Sequence, residues 1–264
     1  MGSLITLVSA PKLRSRSSMV AEFLEKLNYD ALFLDFSREI EEYVKMLAEG
    51  LPYSYVIGEI RRQGLIPESV ANSWEYQAEP ILRKLQHLKR LNPSLDIHCY
   101  GASSYEHLAA HIAVKIALLT LRSMTTRKVN PEAWRRLLEE EAKASRESLE
   151  DEADLLADQA SKHPKNTCVY GVPYETFREK LAERRVQVRV IEVDPNYQPT
   201  PMEVLKREVA LGTATDERIV QLVQAHVEYV RNYVLPSGSL DEAYERWVKA
   251  KRLEFKGGGR QSPS

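Results

Sequence analysis

Only two cysteines, Cys99 and Cys168, occur in 264 residues. They are too few for a disulfide framework and carry no CxxC spacing, which points to a reducing, cytoplasmic setting. No uninterrupted apolar run approaches the ~18 residues of a membrane span, and no charged segment precedes a hydrophobic one. A soluble chain with no membrane partner is therefore expected. The opening MGSLIT formally fits a myristoylation signal, but Leu4 to Val8 read as the start of a buried strand. An excess of either charge is missing too: Lys+Arg number 37 and Asp+Glu 38, for a formal net charge of -1. Without a global positive field, nucleic acid is disfavoured as a partner. Internal repeats and long heptad arrays are also absent.

What is present is an alternation of short β-rich runs with longer helical periods. LITLVSA (4–10), ALFLDF (31–36), LDIHCY (95–100), TCVYG (167–171) and VQVRVIEV (186–193) read as strands. A helix is expected near 18–28, and SREIEEYVKMLAEG follows the second strand. Strand and helix repeated in this way imply an α/β fold, a mostly parallel sheet of about five strands flanked by helices. YSYVIGEI (53–60) reads as a further strand, and Pro80 is expected to kink or restart a helix. Two helices, near 103–124 and 132–162, form an insertion between the third and fourth strands. A C-terminal helical pair follows the fifth, its second member opening on a Ser239/Glu242 capping box. The expected organisation is an α/β domain over 1–200 with a helical insertion at 103–163, a helical extension over 201–255 and a disordered tail over 256–264.

HCYGASSYEHLAAHIA (98–113) carries three of the six histidines. Ser103 and Glu106 have capping-box spacing, so a helix should begin there. His107 and His111 are four apart and share a helix face. That spacing can offer two imidazoles to zinc, but HExxH would place a general base between them and LAA stands there instead. Lys115 follows on the same face and opposes a cation. Alternation along the strand puts Asp96, His98 and Tyr100 on one side, so His98 is a third candidate ligand. The favoured reading is a polar seam with no metal and no cofactor. A metal-dependent hydrolase using His98, His107 and His111 is the alternative.

The loop after the first strand, APKLRSRSS, brings Lys12, Arg14 and Arg16 to a helix start that Ser17 or Ser18 is expected to cap. Cations beside a helix N-terminus suit an anionic small molecule, phosphate or carboxylate. The loop has no Gly-rich turn and is neither a P-loop nor a dinucleotide fingerprint. Asp35 and Arg38 end the second strand and Tyr174 follows the fourth. All lie where open parallel sheets bind ligands, beyond the carboxyl ends of the strands.

The register SAPKLRSRS, ALFLDFSRE and TCVYGVPYETFREKLAERRVQVRVIEV resembles the layout of the TraB/PrgY and TIKI group, a superfamily that includes the haem-binding ChaN proteins. The resemblance covers about half of the chain and is one of order. It places the family's first histidine on Lys12, its glutamate on Phe33 and its late histidine on Tyr174. Asp35 and Arg38 match the LDxxR portion, and Gly171 the late glycine. The resemblance thus implies a catalytically depleted relative, a pseudoenzyme, because the polar residues of the family's metal-dependent hydrolysis are not kept.

The helix 132–162 carries Trp134, Leu138, Ala142, Ser145, Leu149, Ala153, Leu156 and Ala160 as a lean apolar stripe among acidic faces. It packs within its own domain or meets a protein partner or a second copy. Three functions remain open at this point. The first is a non-catalytic binding or regulatory protein, the second the hydrolase, and the third a nucleotide or nucleic-acid phosphate binder working through the basic loop.

Overall fold

A computed structural model describes residues 3–257. Five strands, β1 (Leu4–Ser9), β2 (Ala31–Ser37), β3 (Asp96–Gly101), β4 (Asn166–Tyr170) and β5 (Gln187–Glu192), form one sheet in the order β3-β2-β4-β1-β5. Every pairing is parallel. The α/β expectation therefore holds, with strand ends within a residue of those read from the sequence. Ile5, Leu7 and Val8 of β1 are fully buried, as expected for a strand covered on both faces. The helices that connect the strands are α1 (Arg14–Lys26), α2 (Glu41–Ala48), α3 (Tyr53–Arg62), α4 (Glu68–Leu91), α5 (Ser103–Thr126), α6 (Pro131–Ala160) and α7 (Glu175–Glu183).

Two apolar layers flank the sheet. On one face Leu32, Leu34 and Phe36 pack with Val20, Ala21 and Leu24 of α1 and with Ile81, Leu82 and Leu85 of α4. On the other, Ile5, Leu7, Ala31 and Phe33 pack with Ala153, Leu156 and Ala160 of α6 and with Phe177 and Leu181 of α7. This part of the α6 stripe is consumed by the protein's own core. The chain leaves β1 through α1 to reach β2 on one side, and leaves β4 through α7 to reach β5 on the other. Because β1 and β4 are neighbours, their connections diverge at their carboxyl ends and open a crevice there, the usual ligand position in such sheets.

The chain divides into two compact units: Met1–Val114 with Lys143–Pro195, and Lys115–Ala142 with Asn196–Ser264. The expected boundaries differ, since the distal part of the insertion belongs with the C-terminal helices and not with the α/β unit. In the second unit α8 (Pro201–Ala210), not expected from the sequence, opens on a Thr200/Glu203 capping box. Next come α9 (Asp216–Tyr229), capped by Thr215, and a π-helical stretch Val230–Val234. The unit ends with α10 (Leu240–Gly257). Glu242 N–H donates to Ser239 Oγ at 3.1 Å, half of the expected box, while the Glu242 carboxylate accepts from Gly238 N–H at 2.8 Å. The expected tail begins inside α10, and residues 258–264, like Met1 and Gly2 of the opening motif, lie outside the described residues.

Four local expectations are corrected. YSYVIGEI is helix α3, because Val56, Ile57 and Ile60 are buried at helical spacing and Pro52 pre-sets the turn before it. Helix α4 runs unbroken through Pro80. Helix α1 starts at Arg14 behind an extended Leu13 with no side-chain cap, so Ser17 and Ser18 lie inside its first turns. Ser103 is the first residue of α5, and its hydroxyl donates to Glu39 Oε1 at 2.9 Å instead of capping the helix. Among the described residues, α5 is the helix long and apolar enough, by length and composition, to cross a membrane.

Candidate functional site

The crevice at the β1/β4 carboxyl ends is held by backbone and hydroxyl bonds. Ala10 N–H donates to the Tyr170 carbonyl at 3.0 Å, and Ser9 Oγ donates to the Gly171 carbonyl at 2.9 Å. A cavity of about 100 Å³ opens here, walled by Val20, Leu34, Phe36, Trp74, Ile81 and Val169 and bordered by Lys12, Ser17, Asp35 and Gln77. Its body is apolar and its mouth is charged.

Lys12 Nζ lies 3.2 Å from Asp35 Oδ2, and the lysine side chain is 69% exposed. The neighbouring Asp35 carboxylate raises the Lys12 pKa and keeps it charged. An ammonium has three donors, so the salt bridge leaves others to meet a ligand. Of the three expected loop cations, Lys12 alone lines the cavity. Arg14 Nη1 turns away, donating to the Tyr76 carbonyl at 2.7 Å and sitting 2.7 Å from Glu79 Oε2. Arg16 Nη2 pairs with Asp194 Oδ2 at 2.9 Å.

Two carboxyls near this pair were not expected as site residues. Burial pushes the Glu106 pKa up to about 7, with the Asp35 charge adding to the rise and Lys12 opposing it. Burial likewise lifts Glu152 to about 7; the Ser148 hydroxyl bond opposes the rise and Asp35 reinforces it. That bond is 2.6 Å long, with Ser148 donating to Glu152 Oε1. Tyr100 donates to the Val169 carbonyl at 2.7 Å, and burial raises both its pKa and that of Tyr170. Neither glutamate lines the cavity, but both are coupled by charge to the Lys12–Asp35 pair at its mouth, and perturbed carboxyls beside a cleft are a mark of functional sites.

The other sequence candidates are dispersed. Arg38 is ion-paired with Asp151 and donates through Nε to the Gly101 carbonyl at 3.4 Å. Tyr174 donates to Glu192 Oε1 at 2.5 Å, a bond that raises its pKa. Phe33 is buried and stacks on the His98 ring with centroids 5.2 Å apart. His107 and His111 are exposed. Among the described residues, the three-ligand group that contains His98 consists of Asp96, His98 and His163, without either α5 histidine.

Glu106 was legible only as a cap, and Glu152 is one acid in a dense acidic run. Trp74 carried no periodic signal for a cavity wall. Comparison with known proteins adds no relative: no family model, no curated protein and no solved structure matches the chain.

Proposed function

We propose that the protein is a binding protein for a small anionic amphiphile, taken up at the carboxyl ends of β1, β2 and β4. One observation carries the reading: the apolar cavity opens onto Lys12 at the point where the connections of β1 and β4 diverge. The cavity of about 100 Å³ suits one ring or a short alkyl chain, since engineered apolar cavities of ~150 Å³ take up benzene. The ligand's carboxylate or phosphate meets the Lys12 ammonium, with Asp35 holding that side chain in place. In this reading the chain is a non-catalytic relative of the TraB/TIKI layout, acting in a reducing cytoplasm. The buried free thiols Cys99 and Cys168 support that setting.

Trp74 is the one of the three tryptophans that borders the cavity, which provides an intrinsic probe. Titration with hexanoate or benzoate is expected to change Trp74 fluorescence saturably. Lys12→Ala should weaken binding by about tenfold, the loss of one charge-assisted contact of roughly 1.5 kcal/mol. Filling the cavity by Ala78→Phe should abolish it. Equal affinity in wild type and both variants would remove the proposal.

A second reading is favoured by Glu106 and Glu152. Carboxyls with pKa values of about 7 are matched to general acid-base work at neutral pH. Turnover of any bound carboxylate ester or amide, with a pH profile breaking near 7 and lost in Glu152→Gln, would move the protein from binder to enzyme.

A further inference from the structure

At the amino ends of β3 and β4, opposite the crevice, Asp96, His98 and His163 bring one carboxylate oxygen and two imidazole nitrogens within 4.8 Å of one another. We propose that these three residues bind a divalent transition-metal ion of the zinc class. Asp96 Oδ2 lies 3.3 Å from His98 Nε2 and 3.6 Å from His163 Nε2. Ligands about 2.0–2.1 Å from a tetrahedral zinc stand roughly 3.3–3.5 Å apart, so these spacings are those of neighbouring ligands.

His98 adds a further observation. Its buried Nε2 faces Asp96 Oδ2 at 3.3 Å yet makes no hydrogen bond, although an unmet buried nitrogen is costly. A metal ion at the centre of the group would satisfy it. Each ligand is also held from behind. Asp96 Oδ1 accepts from Ile97 N–H at 3.1 Å, which turns Oδ2 toward the histidines. Phe33 stacks on the His98 ring. Asn166 Nδ2 donates to the His163 carbonyl at 3.0 Å and fixes the turn that carries that ring. On the far side of His98, Glu41 Oε1 is 3.9 Å from Nδ1, on the side where an orienting outer carboxylate belongs. Lys45 neutralises part of that charge, with its Nζ 2.6 Å from Glu41 Oε1.

Two imidazoles and one carboxylate suit zinc, cobalt or nickel better than magnesium or calcium. Three protein ligands leave a fourth position for water, and Asp96 is 46% exposed, so an ion can enter from solvent. Bound there, it would cross-link the turn after α6 to edge strand β3, over the start of β2.

The test uses the full chain stripped with a chelator and then titrated with zinc chloride or cobalt chloride, with stoichiometry read by competition against a chromophoric chelator. Wild type should bind one equivalent, and the cobalt form should show visible d–d absorption of a four-coordinate site. Asp96→Asn and His163→Gln, checked for native far-UV circular dichroism, should each weaken binding at least about tenfold, since even outer-shell changes cost that much. A His107→Ala/His111→Ala double variant should bind like wild type. Absence of stoichiometric binding to folded wild type, or affinity unchanged in both ligand variants, would overturn the site. His163 is half-buried in the turn after α6, outside helix and strand, so its variant keeps the test open if Asp96→Asn misfolds.

Discussion

Arg14 donates from Nη1 to the carbonyl of Tyr76 at 2.7 Å, and that carbonyl is the one that Pro80, four residues on, cannot serve. Proline has no N–H, so a proline inside a helix orphans the carbonyl at i−4. The guanidinium replaces the missing donor, lies 4.8 Å from the Tyr76 ring centroid and pairs with Glu79 at 2.7 Å. This explains why α4 passes through Pro80 unbroken and why Arg14 is not available to an anion.

Arg14→Ala should therefore cost about 0.5–1 kcal/mol of stability, since the bond is exposed and water can take the place of the lost donor. In a Pro80→Ala background the cost should shrink, because an alanine N–H at that position restores the helical donor. A double-mutant cycle in urea checks this. An equal cost in both backgrounds would show that Arg14 acts only through Glu79.

Gly101→Ala and Gly171→Ala should separate cleanly. A Cβ at Gly101 would meet the Phe36 carbonyl oxygen at 2.8 Å and Glu106 Oε1 at 3.3 Å. Backbone cannot yield easily, so a loss of about 1–3 kcal/mol is expected, as for other overpacked sites. At Gly171 the nearest atom is Lys12 Cε at 3.6 Å, ordinary contact, and stability should hold. Thermal unfolding of the two variants reads the difference.

Glu152 favours its neutral form in the folded state, with its pKa raised from 4.5 to about 7. Below 4.5 folded and unfolded chains are both protonated there, and its contribution is intact. Between 4.5 and 7 the unfolded chain is ionised while the folded carboxyl holds its proton, so stability falls across that window and levels off above 7. Glu152→Gln should gain on wild type between pH 5 and pH 8 in denaturant titrations. The same ionisation should repel an anionic ligand, so hexanoate affinity should be higher at pH 6 than at pH 8.

His226 has the opposite sign. Its Nδ1 is buried without a partner, and burial, helped by the Lys206 charge, lowers its pKa from 6.5 to about 4. Above 6.5 both states are neutral and stability is full. Between 6.5 and 4 the unfolded chain takes up the proton and stability is lost. His226→Phe should reduce this acid sensitivity relative to wild type, as measured by urea midpoints at pH 7 and pH 4.5.

Local signals carried the sheet: the β-branched runs at 4–10 and 186–193 and the apolar, aromatic run at 31–36 each became a strand within a residue of its expected ends. They also misled once, since YSYVIGEI has strand-like composition but helical spacing of its buried residues. What the sequence hid is contact between distant residues. Nothing near Pro80 says that a guanidinium 66 positions earlier will mend the helix. Alternation in β3 correctly put Asp96 beside His98, but His163 arrives from a turn 65 positions later. Glu106 on α5 and Glu152 on α6 acquire raised pKa values only once folding buries both within reach of the Asp35 charge.

The most direct measurement is chemical-shift mapping of the isotope-labelled full chain during hexanoate titration. Saturable shifts should cluster at Lys12, Asp35, Trp74, Gln77 and Gly171 around the cavity, and should vanish in Ala78→Phe. Shifts confined to other parts of the α/β unit, or none at millimolar hexanoate, would contradict a ligand site at the carboxyl ends of the strands.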